Sequence, residues 1–149
     1  MRLEQSLVLN RYLHRLFGAG GLQDLKQSLN VQEGPAGDGQ TYFYGALLGR
    51  VEDKRIRERL HEYDSRILGY ESRLAKARGR FSFKYFQYLC LLYTEIFLDR
   101  TTENPSAFLR ELNGFLKLLR KEEVSLYSFP DFVEEDLRRL AFFMATGSG

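Results

Sequence analysis

A chain of 149 residues is the size of one ordinary domain. With 44% hydrophobic, 14% aromatic and 28% charged residues, it is too apolar for a disordered chain and too charged for a membrane span. The net charge of +2 singles out no class of partner.

Leu3, Leu7, Leu9, Tyr12, Leu13, Leu16 and Phe17 recur mostly at helical spacing and predict an amphipathic helix over 3–17. Gly18-Ala19-Gly20-Gly21 stops it. A second short helix is expected over "LQDLKQSL". The stretch 30–41, "NVQEGPAGDGQT", has no periodic apolar residue and is expected to be a mobile surface loop. No strand precedes its glycines and no lysine follows them, so it is not a phosphate cradle.

Ile56, Leu60, Tyr63, Ile67, Tyr70 and Leu74 follow one another in steps of four and three. They predict a long helix over about 51–77 with a narrow apolar seam, the spine of a helical bundle. Its other faces mix charges and are expected to be solvated and laced with i,i+4 pairs such as Glu62 with Arg66. Between Arg50 and Arg80 stand ten Lys/Arg against six Asp/Glu, a mild basic bias. Contact with a DNA backbone is the functional reading of that bias; a solvated face is the plainer one.

The segment 83–99, "FKYFQYLCLLYTEIFLD", is apolar around most of its circumference, with Lys84, Gln87, Thr94 and Glu95 as a thin polar strip. Its length favours a central helix over a strand. Asn104-Pro105 is a cap followed by proline at the first helical position. It starts a helix that carries Phe108, Leu109, Leu112, Phe115, Leu116 and Leu119 and ends at Arg120-Lys121. Pro130 rules out continuous helix through "VSLYSFPDF". "VEEDLRRL" is a short helical turn, acidic first and basic last. Leu140-Ala141-Phe142-Phe143-Met144 is then a compact apolar run of the kind found in a buried strand, although periodicity alone does not separate it from helix. No comparable strand stands upstream, so its sheet is expected outside this chain.

The N-terminus shows no signal-peptide layout, and the longest apolar stretch, around Tyr88–Tyr93, falls short of the roughly 18 residues that span a bilayer. A cytoplasmic protein without a membrane partner is expected. The single cysteine, Cys90, lies in the most apolar segment and is read as a small buried hydrophobe. His14 and His61 have no second histidine at i+3 or i+4, so neither belongs to a zinc motif. The run Glu134, Glu135, Asp136 is explained by its place at a helix N-terminus. No catalytic or metal residues are assigned.

The last residues carry more chemistry. A nucleotide-binding P-loop needs a buried strand and then glycines that let backbone N–H groups reach phosphate oxygens. It then needs Lys for the phosphates and Ser/Thr for Mg²⁺. Ala145-Thr146-Gly147-Ser148-Gly149 follows the apolar run at the place of such a loop. "RRLAFFMATGSG" resembles the first motif of superfamily 2 DEAD/DEAH-box helicases, above all the Res (helicase) subunits of type III restriction enzymes, where it continues as "MATGSGKT". "FKYFQYLCLLYTEIFLDR", "LRELNGFL" and "EEDLRRLAFFMATGSG" resemble the helical region before that motif, so the likeness runs from about Arg50 onward.

The resemblance implies an ATP-driven DNA helicase or translocase of the restriction or defence type, with two RecA-like domains. Its partners would be DNA, the rest of the helicase core and a modification subunit. ATP and Mg would be cofactors of the full-length parent and not of this fragment. The phosphate-binding backbone positions would be Thr146, Gly147, Ser148 and Gly149. The expected fold is all-α: a helical bundle over 1–128. Residues 129–149 would begin a RecA-like α/β domain, with a C-terminal strand and a partial P-loop. With no lysine or Walker B acid in counterpart, no ATPase activity is expected of this chain alone. The other reading is a self-contained helical protein-interaction module with a flexible Gly/Ser tail.

Overall fold

The computed structural model describes residues 7–141, and among these it contains six α-helices and no strand. Helix α1 (Val8–Arg15) lies within the predicted 3–17 stretch and gives way before Gly18, whose φ of 59° suits glycine. Tyr12, Leu13 and His14 are all buried, as is Val8. Three consecutive buried residues cover about 200° of a helix, so α1 is embedded more deeply than an amphipathic surface helix. Helix α2 (Leu22–Ser28) follows and buries Leu25.

The 30–41 stretch is mostly exposed and closed by local hydrogen bonds. Pro35 and Thr41 form an antiparallel bridge, and the Ala36 N–H donates to the Gln40 carbonyl at 2.6 Å. Gly34 is buried with φ 82°, and a Cβ there would meet Ser82 Oγ at 3.2 Å. Thr41 Oγ1 accepts the Tyr44 N–H at 2.9 Å and caps α3 (Tyr42–Leu48), a helix the sequence reading did not anticipate. Seven residues hold too few turns for a periodic signal.

The long helix is α4 (Lys54–Arg78). The Asp53 carboxylate caps it by accepting the Ile56 N–H at 3.1 Å, and Gly79 ends it at φ 82°. Ile56, Leu60, Tyr63 and Ile67 are buried along the predicted seam, whereas Tyr70 and Leu74 are half-buried. Helix α5 (Tyr85–Glu103) returns antiparallel to α4. Partners along the pair run in opposite directions: Glu71 with Phe83, Arg66 with Glu95, Arg59 with Glu103. The expected Glu62–Arg66 pair is present. Glu95 of the polar strip faces α4. It is buried there, accepting from Arg66 at 2.7 Å and from the Tyr70 hydroxyl at 2.6 Å. The exposed apolar residue of α5 is Leu98.

Helix α6 (Pro105–Glu122) begins where expected, with the Asn104 side chain accepting the Ala107 N–H at 3.0 Å. Phe108, Leu112, Phe115, Leu116 and Leu119 are buried on one face. Helix α1 lies on α6 through Tyr12, whose ring meets Phe108 and Phe115 at 5.9 and 5.8 Å. Phe17, Leu60, Leu92, Ile96 and Leu116 are fully buried where the helices meet. Each such side chain contributes about 1.5–3 kcal/mol of apolar burial.

Beyond α6 the chain makes 3-10 turns at Val124–Leu126 and Glu134–Arg138, the second where a helical turn was expected. Leu137 is buried, and Phe129, Phe132 and Leu140 pack half-buried on the core. Leu140 and Ala141 have no regular structure. The rest of the expected strand, Phe142–Met144, lies outside the described residues.

Candidate functional site

The four positions assigned to phosphate binding, Thr146, Gly147, Ser148 and Gly149, also lie outside the described residues. The described structure does define the segment that leads towards them. The Asn113 side chain on α6 donates to the Phe132 carbonyl at 2.9 Å and accepts the Phe132 N–H at 2.8 Å. Arg120 donates to the Phe129 carbonyl and pairs with Asp131 at 2.6 Å. Asp136 accepts the Val133 N–H at 2.9 Å, which gives part of the acidic run a capping role, while Glu134 faces Arg138 at 3.9 Å. Two side chains of one helix thus satisfy backbone groups on both sides of Pro130, which itself has no N–H to give.

An open cleft of about 430 Å³ lies between α1, the start of α4 and α6, lined by Tyr12, Arg15, Asp53, Glu111, Phe115 and Leu118 among others. Arg100, 8% exposed, stands behind it. Its guanidinium donates to Glu111 Oε2 at 2.5 Å, to the Tyr12 hydroxyl at 2.7 Å and to Asp53 Oδ2 at 3.0 Å. The Tyr12 hydroxyl in turn donates to Glu111 Oε2 at 2.7 Å, and Arg55 reaches Glu111 at 2.9 Å. Two guanidinium groups therefore face two carboxylates. Burial pushes Asp53 upward, but the Ile56 N–H and Arg100 outweigh it and hold its carboxyl below the usual range. Burial likewise opposes, and the Tyr12 hydroxyl, Arg55 and Arg100 overcome it, at Glu111, which is also held low. Burial raises the Tyr12 phenol well above its ordinary value. Two carboxylates held ionised and fully paired are poor proton acceptors, so this cluster locks α1, α4, α5 and α6 together and offers no general base.

The other titratable groups read the same way. His14 is buried, its Nδ1 lies 2.6 Å from the Tyr93 hydroxyl, and burial lowers its pKa to about 4. His61 is exposed, with its ring edge-on to Tyr44. Cys90 is half-buried, less enclosed than expected, and burial raises its thiol away from the reactive thiolate. Asp64 is fully buried and accepts from the Thr41 N–H at 2.9 Å, Thr41 Oγ1 at 2.5 Å and the Tyr88 hydroxyl at 2.6 Å. Among the described residues, no group of three or more His, Cys, Asp or Glu is placed to hold a metal ion, and no helix is long and apolar enough to cross a membrane.

Sequence reasoning did not find the Arg100 cluster, the His14–Tyr93 contact or the Asp64 acceptor. The available signal was a charge at a position the helical pattern buries: Asp64 follows Tyr63 of the seam, and Arg100 follows the apolar run of α5. No family model matches the chain, and neither a curated protein nor a solved structure matches it.

Proposed function

We propose that the chain is the N-terminal helical region of an ATP-dependent DNA helicase or translocase of the restriction or defence type, continuing into a RecA-like motor. The observation that carries this reading is the sequence Leu140–Gly149, an apolar run followed at once by Met-Ala-Thr-Gly-Ser-Gly. The helical part acts as a fixed platform for the motor. The Asn113 and Arg120 contacts support that role, because they anchor the segment that leads into the motif. When bound, ATP with Mg would supply the phosphoryl group whose hydrolysis drives translocation. The backbone amides of Thr146, Gly147, Ser148 and Gly149 would hold its phosphates. Hydrolysis would further require the lysine and the metal-binding hydroxyl of such a loop. The test is the gene beyond codon 149. Lys followed by Thr or Ser supports the reading; a native stop codon overturns it. The purified 149-residue chain should show no ATP turnover above a matched blank.

A second reading, a self-contained helical interaction module, is favoured by one observation. Val124, Tyr127 and Val133 are exposed apolar residues in the segment after α6, at 74%, 61% and 52%. The same codon test separates the two, since the module requires no motor.

A further inference from the structure

The basic bias between Arg50 and Arg80 is unevenly used. Arg50 pairs with Asp24, Lys54 with Glu58, Arg55 with Glu111, and Arg59 and Arg66 with carboxylates of α4 and α5. Arg57 donates to the carbonyls of Leu48 and Val51. The start and middle of α4 are therefore neutralised. Arg73, Lys76, Arg78 and Arg80 remain. All four are exposed, and among the described residues none of them forms an ion pair. From Ser72 to Phe83 the chain has no acidic residue. Glu71 is buried and occupied by the Phe83 N–H at 2.8 Å, and Glu33, the exposed acid at this end, is paired with Lys84 at 2.8 Å.

Arg73 to Arg78 rise only about 8 Å along the helix axis, so the cations crowd one tip. The helix dipole accounts for Lys76 and Arg78 in the last turn. It does not account for Arg73, whose guanidinium lies over the Tyr70 ring at 5.1 Å, or for Arg80 beyond Gly79.

Aromatic rings gather at the same end. The Glu71–Phe83 bond folds the 79–84 turn back against the last turns of α4. Phe81, Tyr85 and Phe86 are half-buried there, with Phe81 edge-on to Phe83 at 5.2 Å and Tyr85 edge-on to Phe86 at 5.5 Å. Exposed cations without ion pairs, next to partly open rings, match what single-stranded nucleic acid presents: a charged backbone and unstacked bases. A duplex has no free base faces for the rings, and an acidic peptide or a lipid surface has no use for them in stacking.

We infer that this end of the α4–α5 hairpin binds single-stranded nucleic acid, with Arg73, Lys76, Arg78 and Arg80 on the phosphates and Phe81, Tyr85 and Phe86 offered to the bases. This deepens the DNA reading above and rests on it for the natural source of the strand. A negative result here leaves the codon test untouched, and a stop codon after Gly149 leaves the binding measurable.

The experiment is fluorescence anisotropy of a labelled oligothymidylate of about 20 nucleotides, titrated with the full 149-residue chain at rising salt. For three or four phosphates the slope of log K against log salt should be about −2 to −3, so affinity falls about a hundredfold between about 25 and 200 mM salt. The variant R73A/K76A/R78A/R80A changes exposed side chains only. It should stay folded, with its thermal midpoint lowered only by the lost helix-dipole and Tyr70 contacts, bind at least about tenfold more weakly at low salt and lose most of the slope. Phe86→Ala should weaken binding and leave the slope unchanged. The control K117A/K121A, in exposed cations of α6, should bind as the parent does. Absence of binding at the lowest salt, equal binding by the quadruple variant, equal weakening by the control, or equal affinity for a duplex of the same length would each overturn the proposal. So would tighter binding to an acidic peptide or to anionic vesicles.

Discussion

Asn113 holds Phe132 from both sides, donating to its carbonyl at 2.9 Å and accepting its N–H at 2.8 Å. A carboxamide is the short side chain that carries a donor and an acceptor together, so it can stand in for the neighbouring strand this backbone lacks. The contact fixes a segment that has left helical structure at Pro130 and would otherwise lose two backbone partners on packing against α6.

Asn113→Leu should therefore destabilise the chain by about 2 kcal/mol, since it removes both bonds and leaves a half-buried donor and acceptor unmet. Thermal melting reads the loss, and limited proteolysis should show faster cleavage between Phe129 and Leu140. Asn113→Asp keeps the acceptor and loses the donor, so it should fall between the two. An unchanged cleavage rate in the Leu variant would show that the apolar contacts of Phe129, Phe132 and Leu137 suffice.

Among the described residues, Arg100 is the one cation that Tyr12, Asp53 and Glu111 all share. Arg100→Met should cost about 3–5 kcal/mol, because it leaves two partly buried carboxylates without their central partner. Urea denaturation measures the cost. Adding Glu111→Gln to Arg100→Met should recover part of it by removing one stranded charge. If the double variant is weaker by the full sum of its parts, the two residues act independently.

His14 gives the chain a pH dependence with a definite sign. Its folded pKa is lowered to about 4 by burial, against an ordinary value of 6.5. The unfolded chain therefore binds the proton first as pH falls, and stability declines from about pH 6.5 to about pH 4. The full effect is on the order of 3 kcal/mol. Asp53 and Glu111, whose folded pKa values are also lowered, act in the same direction at lower pH. Their contribution is present above the unfolded carboxyl pKa and is lost as pH falls through the folded values, at the acid end of this window and below it. Denaturation midpoints measured through the His14 window should fall in the parent and stay flatter in His14→Gln. Parallel profiles would show that another group titrates there.

Much of the fold was legible because it is local. The seam Ile56, Leu60, Tyr63, Ile67 and the cap Asn104-Pro105 depend on residues three or four apart, and both stand where the pattern put them. Helix α3 was not legible, since its seven residues hold too few repeats. Cys90 proved only half-buried because an apolar neighbourhood in sequence does not say which side of a helix its partners cover. For the same reason the polar strip did not say what Glu95 meets: its partners Arg66 and Tyr70 stand on another helix.

The sequence by itself determined the helical class, the long spine and the cap before α6, and it carries the run Leu140–Gly149 on which the proposed helicase reading rests. Each of these is written in the identity and spacing of neighbours along the chain. Tertiary structure alone decided which charges are consumed. It placed Arg100 among Tyr12, Asp53 and Glu111, neutralised the first half of α4, and left Arg73, Lys76, Arg78 and Arg80 unpaired beside a cluster of rings. Net charge is a property of composition, whereas the charge a surface presents depends on which side chains packing brings within reach of one another.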